Sequence, residues 1–310
     1  MTIRSVPLAW LPVAAASLLP ACGGSPPHEE ATTVAPADGA QLARSLACEP
    51  IELPERLFEG TKVLLLGDFH GTEEIPAFLS RLSCEVMRRG MNVIAALEIP
   101  REEKDRVDRY LDSTGTQADR RALLEGEFWT DVYQDGRRSR AMAALIERLR
   151  ALRQAGLTLP NPRRLDVLLI DARDAVSPGE RDRRMADAVL AVVGPSAAAR
   201  QSSLLVTLAG NYHTRTVKGA PWDATYESMG YHLARSLPAS AVRSLDVAHA
   251  AGAAWFCTGA EPATCGEKVL KGNAEGSPGA IRLFDKPDDR GYGGTYFVGR
   301  LTASRPAREQ

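Results

Sequence analysis

The sequence predicts an α/β fold, a three-layer sandwich with a mainly parallel central sheet and extra C-terminal edge strands. Short runs rich in Leu, Val and Ile recur at 62–66, 92–97, 166–170 and 204–208, and they lack polar/apolar alternation. Strands buried on both faces of a parallel sheet read this way. Helical patterns lie between the runs, and parallel neighbours need such crossovers, which place helices on the sheet faces. The chain of 310 residues is 44% apolar and 25% charged, with a net charge of −1. That content can bury a core, so disorder is excluded, and a near-neutral balance supplies no general field for nucleic acid.

Residues 1–21 read as an export signal. Arg4 is the only charge before an apolar run at 6–19, which is too short to span a bilayer as a mature helix. The run ends in Leu19-Pro20-Ala21-Cys22, which is similar to a bacterial lipobox with Cys22 as the lipidated residue. Residues 22–45, rich in Pro, Ala, Thr and Glu, read as a lipidated flexible tether. A single α/β domain is expected over 46–303. An exported chain, anchored by lipid to a bacterial membrane, would face the periplasm or the cell surface.

The helices follow in order. Residues 72–89 carry Ile75, Phe78, Leu79, Leu82 and Val86 at spacings of three and four. Residues 137–154 carry Met142, Leu145, Ile146, Leu149 and Leu152, and their basic remainder reads as a solvated face. At 177–193, Ser177 can cap and Pro178 can open the first turn. A shorter helix is expected at 226–237, with Gly230 inside it. From about residue 240 the texture changes to short strands at 242–247, 253–257, 280–284 and 295–298, separated by Gly- and Pro-rich loops. These are expected at the sheet edge. With Cys22 set aside, four cysteines remain, an even number that suits an oxidising compartment. Cys257 and Cys265 flank a segment with Gly and Pro and are expected to pair, leaving Cys48 for Cys84; four buried free thiols are the alternative.

Four strands end in groups that carry chemistry. Gly67-Asp68-Phe69-His70 and Gly210-Asn211-Tyr212-His213 each place Gly-x-x-His at a strand's carboxyl end, and the runs at 92–97 and 166–170 end in Glu98 and Asp171. Open α/β sheets bind ligands beyond those ends. His70, Glu98, His213 and Asp68 are the expected catalytic set. Two imidazoles and a carboxylate suit two chemistries: His70, His213 and Glu98 could ligate a divalent metal, or one His could act on water as a general base oriented by Asp68 or Glu98. Arg181 or Asp182, opening the next helix, could close the cleft. No His-Glu-x-x-His, Gly-x-Ser-x-Gly or P-loop motif occurs.

The segment 67–74, which adds Glu73 to the cleft, the Ala96-Leu97-Glu98 strand end, Arg181-Asp182-Arg183-Arg184-Met185-Ala186 and Gly210-Asn211-Tyr212-His213 occur in this order. Together they resemble the superfamily joining erythromycin esterases, ChaN-like haem-binding lipoproteins and the Tiki/TraB proteins. Many members have Gly-Glu-x-His first, where this chain has Asp68. The segment around Phe128-Trp129 and Arg137-Arg138 is also similar, so that Arg137 or Arg138 would line the cleft, or else stand in a surface turn. The resemblance implies an α/β hydrolase-like enzyme acting on an ester or amide of a small molecule or peptide. Its alternative is a ChaN-like haem- or iron-binding lipoprotein, in which Tyr212 at the cleft mouth would ligate iron. No nucleic-acid partner is implied.

If Cys22 carries the lipid, Cys22→Ser releases the protein from membranes and leaves the domain folded. Membrane fractionation checks this, and unchanged association would reject the anchor.

Overall fold

A computed structural model describes residues 46–194 and 203–308. The expected signal segment, Cys22 and the expected tether lie outside the described residues. The first run forms β1 (Val63–Asp68), followed by α1 (Glu74–Arg88), β2 (Asn92–Pro100), α2 (Lys104–Asp112), α3 (Gln117–Leu124), α4 (Glu127–Thr130) and α5 (Arg140–Leu157). Then come β3 (Leu165–Asp171), α6 (Pro178–Val193), β4 (Ser203–Gly210), α7 (Met229–Ser236), β5 (Val242–Ala250), β6 (Gly252–Cys257), β7 (Cys265–Leu270), β8 (Ile281–Leu283) and β9 (Gly294–Arg300).

The main sheet has seven strands in the order β3-β2-β4-β1-β5-β9-β8. All pairings are parallel except β8 with β9. Alternate residues of the central strands feed two separate cores. Leu64, Leu66, Val93, Ala95, Val206 and Leu208 pack with Phe78 and Leu82 of α1 and Leu145 and Leu149 of α5. Val63, Leu65, Ile94, Ala96 and Leu205 pack with Met185 and Val189 of α6 and Met229 and Leu233 of α7. Both faces are covered, which explains the unbroken apolar runs and makes the three layers.

Caps set the helix starts. The Ser139, Ser177 and Ser228 hydroxyls accept from the N–H groups of Met142, Glu180 and Tyr231, each at 3.2 Å. The sequence pattern begins α5 and α7 three residues early because periodicity marks the apolar stripe and not the cap.

The runs at 280–284 and 295–298 form β8 and β9 at the sheet edge as expected, and the other two C-terminal strands depart from it. The run at 242–247 is no edge: β5 lies between β1 and β9. The run at 253–257 leaves the main sheet and pairs with β7 as a separate hairpin. The helices α2–α4 carry no long apolar stripe of their own, so periodicity does not mark them. Past residue 303 the chain stays attached, with Ser304 N–H donating to Gly71 O and Ser304 Oγ accepting from Ala141 N–H.

Cys257 and Cys265 face each other across the β6–β7 hairpin, joined by a disulfide, and a second disulfide ties Cys48 to Cys84 of α1. Replacing Cys257 and Cys265 by Ser should lower stability by about 2–3 kcal/mol, because a short loop gains chain entropy when unfolded. Urea denaturation reads this as a lower midpoint, and an unchanged midpoint would reject it.

Candidate active site

Four consecutive strands, β3, β2, β4 and β1, end side by side and deliver Asp171, Glu98, Gly210 and Asp68 to one edge. Asp68 stands beside Gly210 in the β1–β4 register. The β2–β3 register shifts between Leu97 and Pro100, and Glu98 sits in that irregularity, which turns its side chain into the cleft. His70 and His213 follow two and three residues after the ends of adjacent strands.

The two strand-end glycines provide space, since neither takes a positive φ. A Cβ on Gly210 would lie 3.2 Å from His70 Nε2 and 3.5 Å from Glu98 Oε2, in the gap between the imidazoles. On Gly67 it would lie 3.1 Å from Asn211 Cβ. Positive φ is used at Gly71 and Gly136, where the β6–β7 hairpin presses on the cleft. A Cβ there would come within 1.9 and 2.4 Å of the Trp255 carbonyl. These glycines flank His70 and Arg137, so the hairpin clamps two site residues from outside.

Each histidine is oriented by an aspartate. Asp68 Oδ2 lies 2.7 Å from His70 Nδ1, and His70 Nε2 faces Glu98 Oε2 at 3.5 Å. Asp182 accepts from His213 Nδ1 at 2.8 Å, and His213 Nε2 lies 3.7 Å from Glu98 Oε1. Asp182 is fully buried and also accepts from the Tyr226 hydroxyl and, at 2.7 Å, from the Met229 N–H. Arg181 donates to His213 Nε2 at 3.1 Å. A guanidinium only donates, so Nε2 presents its lone pair and Nδ1 carries the proton.

Glu98 is the hub. It accepts from Gly210 N–H at 2.7 Å, Arg181 Nη2 at 2.7 Å and Arg137 Nη1 at 3.2 Å. The same guanidinium groups reach Asp171, Arg181 at 2.6 Å and Arg137 at 3.2 Å, and Arg137 also binds Asp135. Burial opposes ionisation of Glu98, but the charges of His70, Arg181 and Arg137 outweigh it and hold the carboxyl well below its usual range. Burial alone would lower the His70 pKa; the charges of Asp68 and Glu98 prevail and raise it to about 9. His70 is therefore an imidazolium at neutral pH. A cavity of about 230 Å³ opens beside these groups, walled by Phe69, Tyr212, Phe256, Asn211 and Asp135.

The structure thus brings together Asp68, His70, Glu98, Asp171, Arg181, Asp182 and His213. Tyr212 lines the cavity. Glu73 is exposed at the start of α1 and makes none of these contacts, because its side chain leaves the helix on the solvent side. Of the two arginines the sequence offered, Arg137 enters the site, while Arg138 is buried against Phe128 and Asp131. Asp135 and Tyr226 escaped notice because neither stands at a strand end. The Asp135-Gly136-Arg137 turn was the available signal for the first.

The donor set does not fit a metal. Arg181 engages His213 Nε2, and Arg181 and Arg137 converge on Glu98 Oε1, so guanidinium charge stands where a divalent ion would need free donors. Among the described residues no three His, Cys, Asp or Glu side chains are grouped to hold one. Tyr212 packs edge-on against Trp222, with Arg215 over its ring at 4.6 Å.

No protein-family model matches the chain, and a search of curated proteins finds no match. Solved structures share its fold. A mutant of the erythromycin esterase EreC in its open conformation superposes with a TM-score of 0.57 at 13% identity, covering 81% of this chain and 93% of that one. A succinoglycan biosynthesis protein gives 0.58 at 11% identity, covering 84% and 94%. A Bacillus cereus protein gives 0.55 at 10% identity, covering 88% and 100%. The chain therefore has an erythromycin esterase-like fold.

Because the folded pKa of His70 is raised from 6.5 to about 9, its pairing stabilises the fold fully below pH 6.5. That contribution declines as pH rises through 9. The stability of the wild type over His70→Gln should shrink across this window in urea titrations, and a pH-independent difference would reject the assignment.

Proposed function

We propose that this protein hydrolyses an ester, with water activated between two histidine–aspartate pairs and without a metal. One observation carries the reading: His70 and His213 are each oriented at Nδ1 by a buried aspartate and direct Nε2 to the same carboxylate, beside a cavity at the carboxyl end of the sheet. The two imidazoles differ in proton content, which is the division of labour hydrolysis needs.

His213, with a lone pair on Nε2, is the base. Substrate draws Arg181 from that lone pair towards the acyl oxygen, and His213 takes a proton from water. The water oxygen bonds to the acyl carbon, and the carbonyl electron pair moves onto oxygen. Arg181 and Arg137 stabilise that oxyanion. The carbon–alkoxy bond then breaks, and His70, already protonated, gives its proton to the leaving oxygen. A carboxylic acid and an alcohol leave, and a proton returns from His213 to His70 through solvent. Glu98 keeps Arg137 and both rings in register throughout.

Export and anchoring through Cys22 belong to the same proposal. The two disulfides support it, since such bonds persist in oxidising compartments.

An ester and amide panel tests the activity. His70→Ala and His213→Ala should remain folded and lose about 10²–10⁴-fold in kcat, the weight of general acid–base catalysis. Glu98→Gln should lose activity similarly, being nearly isosteric but uncharged. Folded variants with wild-type rates would reject the site. The wild-type kcat/KM should fall above about pH 9 as His70 loses its proton, and Asp68→Asn should move that limb to lower pH. Activity should survive dialysis against EDTA; loss restored by zinc would overturn the metal-free reading.

A further inference from the structure

A second cavity, of about 630 Å³, adjoins the site through an aromatic wall. Its lining includes Glu180, Arg183, Trp222, Asp223, Tyr226 and Glu227. Trp222 is 61% exposed, an unusual position for the largest side chain. The Trp222 ring contacts Tyr212 at 4.6 Å and Tyr226 at 5.8 Å. Tyr212 lines the catalytic cavity, and Tyr226 donates to Asp182, the partner of His213. A molecule lying across Trp222 would therefore reach both cavities.

The lining selects the occupant's chemistry. An exposed indole offers an apolar face, but the rim around it is ionised. Glu180 binds Arg184, Glu227 binds Lys218, and Asp223 accepts from Thr225, so each carboxylate retains acceptor capacity. Arg183 has one long contact, 3.5 Å to Asp187, which leaves most of its donors open. A wholly apolar group would strip water from these charges and return no hydrogen bonds. A free anion would meet three carboxylates. A pyranose-like ring has an apolar C–H face for the indole and edge hydroxyls that both donate and accept.

We propose that this cavity is a second substrate subsite, which receives a polyhydroxylated ring stacked on Trp222 while the ester lies against His70 and His213. The position of the ester rests on the hydrolase reading; binding of the ring at Trp222 does not.

Two measurements separate the claims. The first is titration with phenyl β-D-glucopyranoside, followed by tryptophan fluorescence in wild type, Trp222→Ala and Trp222→Phe. Saturable binding in wild type, weakened about tenfold in Trp222→Ala and partly restored in Trp222→Phe, supports the subsite. Equal binding in all three, or none in wild type, overturns it. The second is the ratio of kcat/KM for an acetylated methyl glucopyranoside over that for phenethyl acetate. A fall of about tenfold in this ratio in Trp222→Ala supports the polyhydroxylated class. An unchanged ratio, or a rise, overturns that class. If wild type cleaves neither ester but still binds the glucoside, the hydrolase reading fails and the subsite stands.

Discussion

Glu98 is 3% exposed, and an unpaired carboxylate at that depth would cost many kcal/mol in lost hydration. The surrounding structure meets this cost. A backbone N–H from Gly210 and two guanidinium groups give it hydrogen bonds, and the His70 imidazolium adds field. Each of these side chains brings a further acid: Asp171 and Asp135 with the arginines, Asp68 and Asp182 with the histidines. The result is a charge lattice rather than an isolated pair. Removing one member strands the others, which is why buried ion networks break expensively even where their net worth is modest.

The lattice is placed by backbone, not by side-chain reach. Adjacent parallel strands are about 4.8 Å apart, so groups leaving β1, β4, β2 and β3 arrive within hydrogen-bond range once their registers agree. The arginines come from outside the sheet, Arg181 from the first turn of α6 and Arg137 from the turn before α5. The β6–β7 hairpin then closes the arrangement by resting its backbone on Gly71 and Gly136. Its disulfide follows directly after Phe256, a wall of the cavity, so the covalent tie braces the site's outer face.

Proton placement gives this lattice its chemical direction. The two histidines have similar aspartate partners, yet only His213 receives a donated hydrogen bond at Nε2, from Arg181. His70 has no such donor and sits between two carboxylates, which keeps it charged. One nearby guanidinium thus gives two similarly paired rings different proton arrangements.

The sequence alone determined the parallel α/β sheet, because burial on both faces writes unbroken apolar runs into the chain. It also marked Asp68, His70, Glu98, Asp171 and His213, since a polar group directly after a buried strand stands out against its neighbours. The partner aspartate of His213 was visible only as a nearby candidate at a helix start, and Glu73 was placed in the cleft when its side chain faces solvent. What tertiary structure decided was contact between distant segments: Arg137 rather than Arg138, Asp135 beneath it, Tyr226 on Asp182, and the 253–257 run as a hairpin clamp instead of a sheet edge. Periodicity reports which face of an element is buried. It carries no information on which turn, 39 or 44 residues away, will supply the donor that a buried carboxylate requires.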